Sequence, residues 1–308
     1  FAVGLRLFGT LSGAPSSLVA RHDVALADSL GITALHIELQ PEGATAIALD
    51  SVARSIVARR DSLVLVVTLD LARNDRRLLP TDDAWLRART ALIERIVKHL
   101  HPDVLVPAED VAPSPGMAGV PWWQSYYGHV ARSARRLDRD VIIALATDAG
   151  SPADRALCDW VLGGGSPVDV IALSVRDFSD TPARLERALA SMARLVSRAR
   201  VAPSVWVLGV PASPAVAGEL AQQRLVRHAL MWGASRDWVR GVIAGDASDV
   251  LAATGIRTPS GRSRRAVVEV GAALRALRDA PLAVPIVTDT ATIDTLRVPP
   301  DTLSPNPP

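Results

Sequence analysis

Acidic side chains stand directly behind short β-branched runs at one place after another. They are Glu38 (with His36 and Gln40), Asp70, Glu109 and Asp110, Asp148, Asp177 (beside Arg176) and Asp246. If those runs are parallel strands, their ends share one face and the carboxylates ring a single mouth. Crowded carboxylates raise one another's pKa, which suits proton transfer. A lone acid at a strand end has a plainer use, capping the next helix. Glu109 is the residue singled out for chemistry. Trp122, Trp123, Tyr126 and Tyr127 cluster just after the same run, in a chain with only 4% aromatics. Trp122 and Tyr126 share a helical face, as do Trp123 and Tyr127. Such rings, if exposed, serve as a sugar platform or a protein hot spot; if packed, they hold the first helical turn under residues 112–121. They are taken here as a binding cluster, for protein before sugar, with Glu38 and Asp177 completing the candidate set.

Other chemistries find no residues. Cys158 is the single cysteine, so the chain has no internal disulfide and no cysteine metal cluster. The six histidines show no ligand spacing except His99 and His101, which fall at a helix end and read as dipole partners. No H-E-x-x-H, phosphate-binding loop or Gly-x-Ser-x-Gly elbow occurs. No cofactor and no metal are expected. A formal charge of +2 gives no case for nucleic acid. Lys98 is the only lysine, and the arginines are spread along helices (Arg184, Arg187, Arg194, Arg198) as a solvated face. No run approaches the ~18 apolar residues of a membrane span.

The elements that must position these residues alternate regularly. Strands are predicted over 1–8, 32–38, 63–69, 103–109, 140–146, 168–174, 204–210 and 239–244. Most are nearly all apolar, as parallel strands covered on both faces require. Helices are predicted near 16–30, 45–60, 81–100, 121–137, 152–162, 181–199, 214–234 and 262–279. Ser151-Pro152, Thr181-Pro182 and Ser213-Pro214 each offer a hydroxyl cap before a proline at the first helical position. Eight strand-then-helix units match an α/β fold of the (β/α)8 TIM barrel type. A doubly wound sheet would bring a G-x-G-x-x-G turn, and none occurs. Residues 1–280 are therefore one barrel. Residues 281–308 hold 7 of the 22 prolines and read as an extended tail, strapped onto the barrel or a partner. Phe1 already looks like part of a strand, so something upstream is expected. An export signal would place the protein in the periplasm or on an extracytoplasmic surface; a trimmed segment leaves the cytoplasm as the alternative.

Residues 101–110 (HPDVLVPAED) resemble the fourth strand of the large (β/α)8 glycoside hydrolase superfamily, whose acid/base glutamate ends that strand, usually after asparagine. Glu109 takes that place, and Ala108 stands where the asparagine would be. Residues 204–211 (SVWVLGVP) resemble its seventh strand, which ends in the nucleophilic glutamate; here Leu208 or Gly209 occupies that position. Residues 239–246 resemble the eighth strand, without its frequent tryptophan, and 254–262 the turn before the last helix. The resemblance implies a barrel that kept a proton donor and lost its nucleophile. A retaining glycosidase needs two carboxyl groups about 5–5.5 Å apart, and an inverting one still needs a second. The expected role is a structural or interaction subunit, a pseudoenzyme. Its partner would be protein in a larger assembly, such as a membrane complex of the photosynthetic kind. The alternatives are an active glycoside hydrolase acting on carbohydrate, with Glu109 and a relocated second carboxylate, and a barrel enzyme holding a divalent metal on Glu38, Asp70 and Glu109.

Overall fold

Each strand pairs in parallel with the next, and the last closes on the first, because the apolar runs can be buried on both faces only inside a shell of helices. The computed structural model describes residues 1–70, 83–109, 119–174, 181–199, 203–210, 213–249 and 254–279; the predicted tail, Asp110, Arg176 and Asp177 lie outside them. The barrel strands are β1 (Ala2–Leu11), β2 (Ala34–Leu39), β3 (Val64–Leu69), β4 (Val104–Val106), β5 (Ile142–Thr147), β6 (Val170–Ser174), β7 (Ser204–Leu208) and β8 (Val239–Ser248). Between and after them run α1 (Ser17–Leu30), α2 (Ala46–Ile56), α3 (Asp83–Leu100), α4 (Val120–Leu137), α5 (Pro152–Leu162), α6 (Thr181–Val196), α7 (Pro214–Ala217), α8 (Glu219–Ala234) and α9 (Ala266–Asp279). This is a closed (β/α)8 TIM barrel, as the unit count implied.

Departures from the predicted boundaries have local causes. The strand predicted over 103–109 pairs only as far as Val106, since Pro107 has no N–H for the ladder. The first strand runs on to Leu11 across a bulge at Phe8 and Gly9, whose φ values are 66° and 65°. A phenylalanine in that region is strained and needs support, which the site supplies below. The helix predicted over 214–234 breaks at Gly218, where φ is 82° and ψ 158°. After β8 an unpredicted short strand, β9 (Gly255–Arg257), adds to its end. Ser151 caps α5 in a full capping box with Asp154, while Ser213 makes no side-chain cap on α7.

The interior has two cores. One fills the cylinder with Ala34, Val66, Ala144, Ala172, Trp206 and Ile243 among others. The larger lies between strands and helices. The small residues inside make room for one large ring: a Cβ on Gly241 would stand 2.5 Å from the Trp206 ring. Trp206 is therefore packing, set low in the barrel against the strand that closes it.

Candidate functional site

Inward-facing positions of neighbouring strands fall in register and stack into layers. Arg6 stands level with His36 on one side and Asp246 on the other. The bulge after Leu7 shifts the register so that Thr10 comes opposite Glu38. Four side chains thus meet at the carboxyl ends of β1, β2 and β8. The Arg6 guanidinium donates from Nη1 to Glu38 Oε2 and from Nε to Asp246 Oδ1. Thr10 Oγ1 donates to Glu38 Oε1 at 2.6 Å, and Thr254 Oγ1 donates to Asp246 Oδ2. Glu38 and Asp246 are 1% and 6% exposed, so their charges must be met within the protein. Burial works against the charged guanidinium, but Asp246 and Glu38, with a smaller contribution from Glu109, outweigh it and raise the Arg6 pKa well above its ordinary value.

Glu109 is brought to the same mouth, buried at 2% exposure, and accepts a hydrogen bond from Ser174 Oγ at 2.5 Å. The chain just before it is tightly held. Arg89 Nη2 donates to the carbonyls of Leu69, Asp70 and Pro107 at 2.9, 2.7 and 3.3 Å, tying the end of β3 to that of β4. The Tyr126 hydroxyl donates to Pro107 O at 2.9 Å. Ser174 lies in register with Leu208 at the end of β7. Leu208 is 3% exposed and belongs to the apolar lining of the cylinder. Beside the Glu109–Ser174 pair, the seventh strand therefore presents hydrocarbon. His36, level with Arg6, bonds through Nε2 to Thr68 Oγ1 at 2.8 Å.

The aromatic cluster needs correcting. Trp123, Tyr126 and Tyr127 are 0%, 1% and 0% exposed and offer no face to a ligand. Trp123 and Tyr126 meet edge to face, while the partly buried Trp122 stacks on Tyr126 at 5.5 Å and 7° and touches Trp85. The rings are a wedge behind the fourth strand, supporting the backbone that carries Glu109 rather than forming a platform in front of it.

The other sequence candidates scatter. Asp148 turns to Arg184, with Oδ2 2.6 Å from Nη2. Gln40 serves through its backbone N–H, on Leu11 O. Among the described residues no three His, Cys, Asp or Glu side chains are grouped to share a metal ion, and Glu38, proposed for a metal with Asp70 and Glu109, is engaged by Arg6 and Thr10 instead. His99 Nδ1 lies 2.7 Å from Asp50 Oδ1, an ion-pair position rather than a metal site.

Sequence reasoning missed Arg6, Thr10, Ser174, Arg89 and Asp23. Asp23, on α1, is fully buried and accepts from the Phe8 N–H at 2.7 Å and the Ser248 hydroxyl at 2.5 Å. It thereby fixes the bulge in β1 and ties it to the end of β8. Burial is the main cause of its raised pKa, opposed by the two hydrogen bonds. A folded pKa above the unfolded one means that Asp23 favours the fold most when protonated, and that this contribution is lost as pH rises through the folded pKa. Asp23→Asn keeps the geometry without the titration. Relative to this variant, the native protein is expected to lose stability as pH rises above about 4, measured by urea unfolding at a series of pH values; parallel pH profiles would disprove it.

No family model matches the chain, and no curated protein matches it. Solved structures do. GH5_18 from Streptomyces cattleya in complex with GlcNAc is similar at 16% identity and a TM-score of 0.66, covering 91% of this chain and 81% of that one. A GH5_18 protein from Bifidobacterium longum subsp. longum in complex with Manb1-4GlcNAc gives 14% and 0.66, covering 91% and 79%. A b-glucuronidase from Ruminococcus gnavus gives 13% and 0.61, covering 88% of this chain and 49% of that one, so the chain spans about half of that enzyme. At such identities the likeness is one of architecture: this chain shares the (β/α)8 barrel fold of those glycoside hydrolases.

Proposed function

We propose that this protein is a glycosidase-like barrel without glycosidase turnover, serving as a protein-binding subunit of a larger assembly. The observation that carries the first half is the end of β7. Leu208, in register with the serine that holds Glu109, occupies the strand end where the family that the sequence resembles carries its nucleophilic glutamate, the second carboxylate of the reaction. Glu38 and Asp246, at the same mouth, are each committed to Arg6 and to a threonine hydroxyl. On this reading Glu109 would protonate a leaving oxygen, and among the described residues the end of β7 supplies no nucleophile to complete a cycle.

The binding half is supported by the surface. Val216 and Leu220 flank the Gly218 break after β7, at the mouth end of the barrel, and are 72% and 45% exposed. No helix among the described residues is long and apolar enough to cross a membrane. The setting we propose is extracytoplasmic.

Native protein and Glu109→Gln are to be assayed against a panel of aryl glycosides and β-linked oligosaccharides, with matched unfolding curves. Neither is expected to release sugar above the blank. Turnover that the substitution abolishes would overturn the first half of the proposal, and native-source protein that runs only as a free monomer would overturn the second.

A further inference from the structure

At the end opposite the carboxylates, the barrel is open. A cavity of about 880 Å³ is lined by the first residues of the strands, including Ala2, Val64, Val104, Ile142 and Val170, with the Trp206 ring as its roof. That volume is in the range of sites that enclose a drug-sized ligand. Its walls are hydrocarbon and its rim is polar: Thr33, Asp61, Ser204 and Arg240. Asp103 and Asp169, also on the rim, are already paired with Arg60 and Arg135 and accept the N–H groups of Leu65 and Ile143. An occupant of this cavity would be met by apolar walls, with the charges of Asp61 and Arg240 at the rim.

The last helix leads to this opening. α9 runs back from the mouth, packs against α1 and β1, and ends at Asp279. The Arg278 guanidinium lies beside Gly31, two residues before Thr33 on the rim. The chain continues for another 29 residues, Ala280 to Pro308. It does so with nine residues that carry no charge, Ala280-Pro281-Leu282-Ala283-Val284-Pro285-Ile286-Val287-Thr288. Fully extended, eight residues reach roughly 25 Å, enough to cross the opening from that edge. The two prolines lower the entropy cost of ordering an extended segment and remove two N–H groups that would otherwise need partners in an apolar cavity.

We propose that the lower opening of the barrel is a receptor for this chain's own segment 281–287, which inserts its apolar side chains beneath Trp206. The proposal is independent of what the upper mouth does. In the full-length protein carrying Arg240→Cys and Thr288→Cys, spin labels on the two introduced thiols measure the distance from rim to tail; Cys158, fully buried, stays unlabelled. The expected result is a short, narrow distance distribution, unchanged on mixing with excess unlabelled protein and broadened by adding Ile286→Asp. A broad distribution before that substitution would overturn the proposal. So would a short distance lost on mixing, since the occupant would then be a neighbouring copy's tail. A short distance indifferent to Ile286→Asp would place the tail across the rim without insertion, and overturns it equally.

Discussion

Replacing Arg6 by methionine is expected to destabilise the protein by about 3–5 kcal/mol, the usual cost of leaving a buried charge without its partner. Arg6 is the shared counterion of Glu38 and Asp246, both almost wholly buried. Without it two buried carboxylates lose the counterion they share. Chemical denaturation of the variant beside the native protein checks this. Adding Glu38→Gln and Asp246→Asn should restore most of the loss. A loss under about 1 kcal/mol, the range of exposed ion pairs, would show that solvent reaches the group well enough to replace the guanidinium.

The second large effect concerns Trp123. Truncation to alanine is expected to cost about 3–5 kcal/mol, because a fully buried indole leaves a cavity that its neighbours fill only in part. Trp122→Ala, at the partly exposed edge of the same cluster, should cost less. The contrast separates two roles. Rings that receive a ligand can be lost at small cost to the fold, while a wedge under the fourth strand cannot. Unfolding midpoints for the two variants decide it; equal and small losses would return the cluster to the surface.

The barrel was legible in the sequence because its strands are buried on both faces and so read as unbroken apolar runs. The helices were legible for the same kind of reason: a proline at the first turn of α5, a glycine run after it, and a clear helical period. The site was only half legible. Glu109, Glu38 and Asp246 could be placed near strand ends, since a carboxylate after an apolar run stands out. Arg6 could not, because it sits inside the run AVGLRLFGTL, and its meaning depends on which residues of β2 and β8 come level with it. Register between strands distant in sequence leaves no local mark. Asp23 was missed likewise: nothing in its helix announces that it serves a bulge in β1. The aromatic cluster failed differently. Spacing by four places rings on a common helical face, but the direction of that face is decided by what packs against it. Here both ridges turn inward, toward the carbonyls of Pro107 and Ala108.

The exposed Lys98 closes the last turn of α3, and helices of this fold finish at the end away from the carboxylates. It carries the chain's only lysine amine. With the α-amino group blocked, carboxymethyl-dextran coupling through that amine would mount the molecule with its Arg6–Glu38–Asp246 end presented to the flowing sample and its opposite end turned toward the chip.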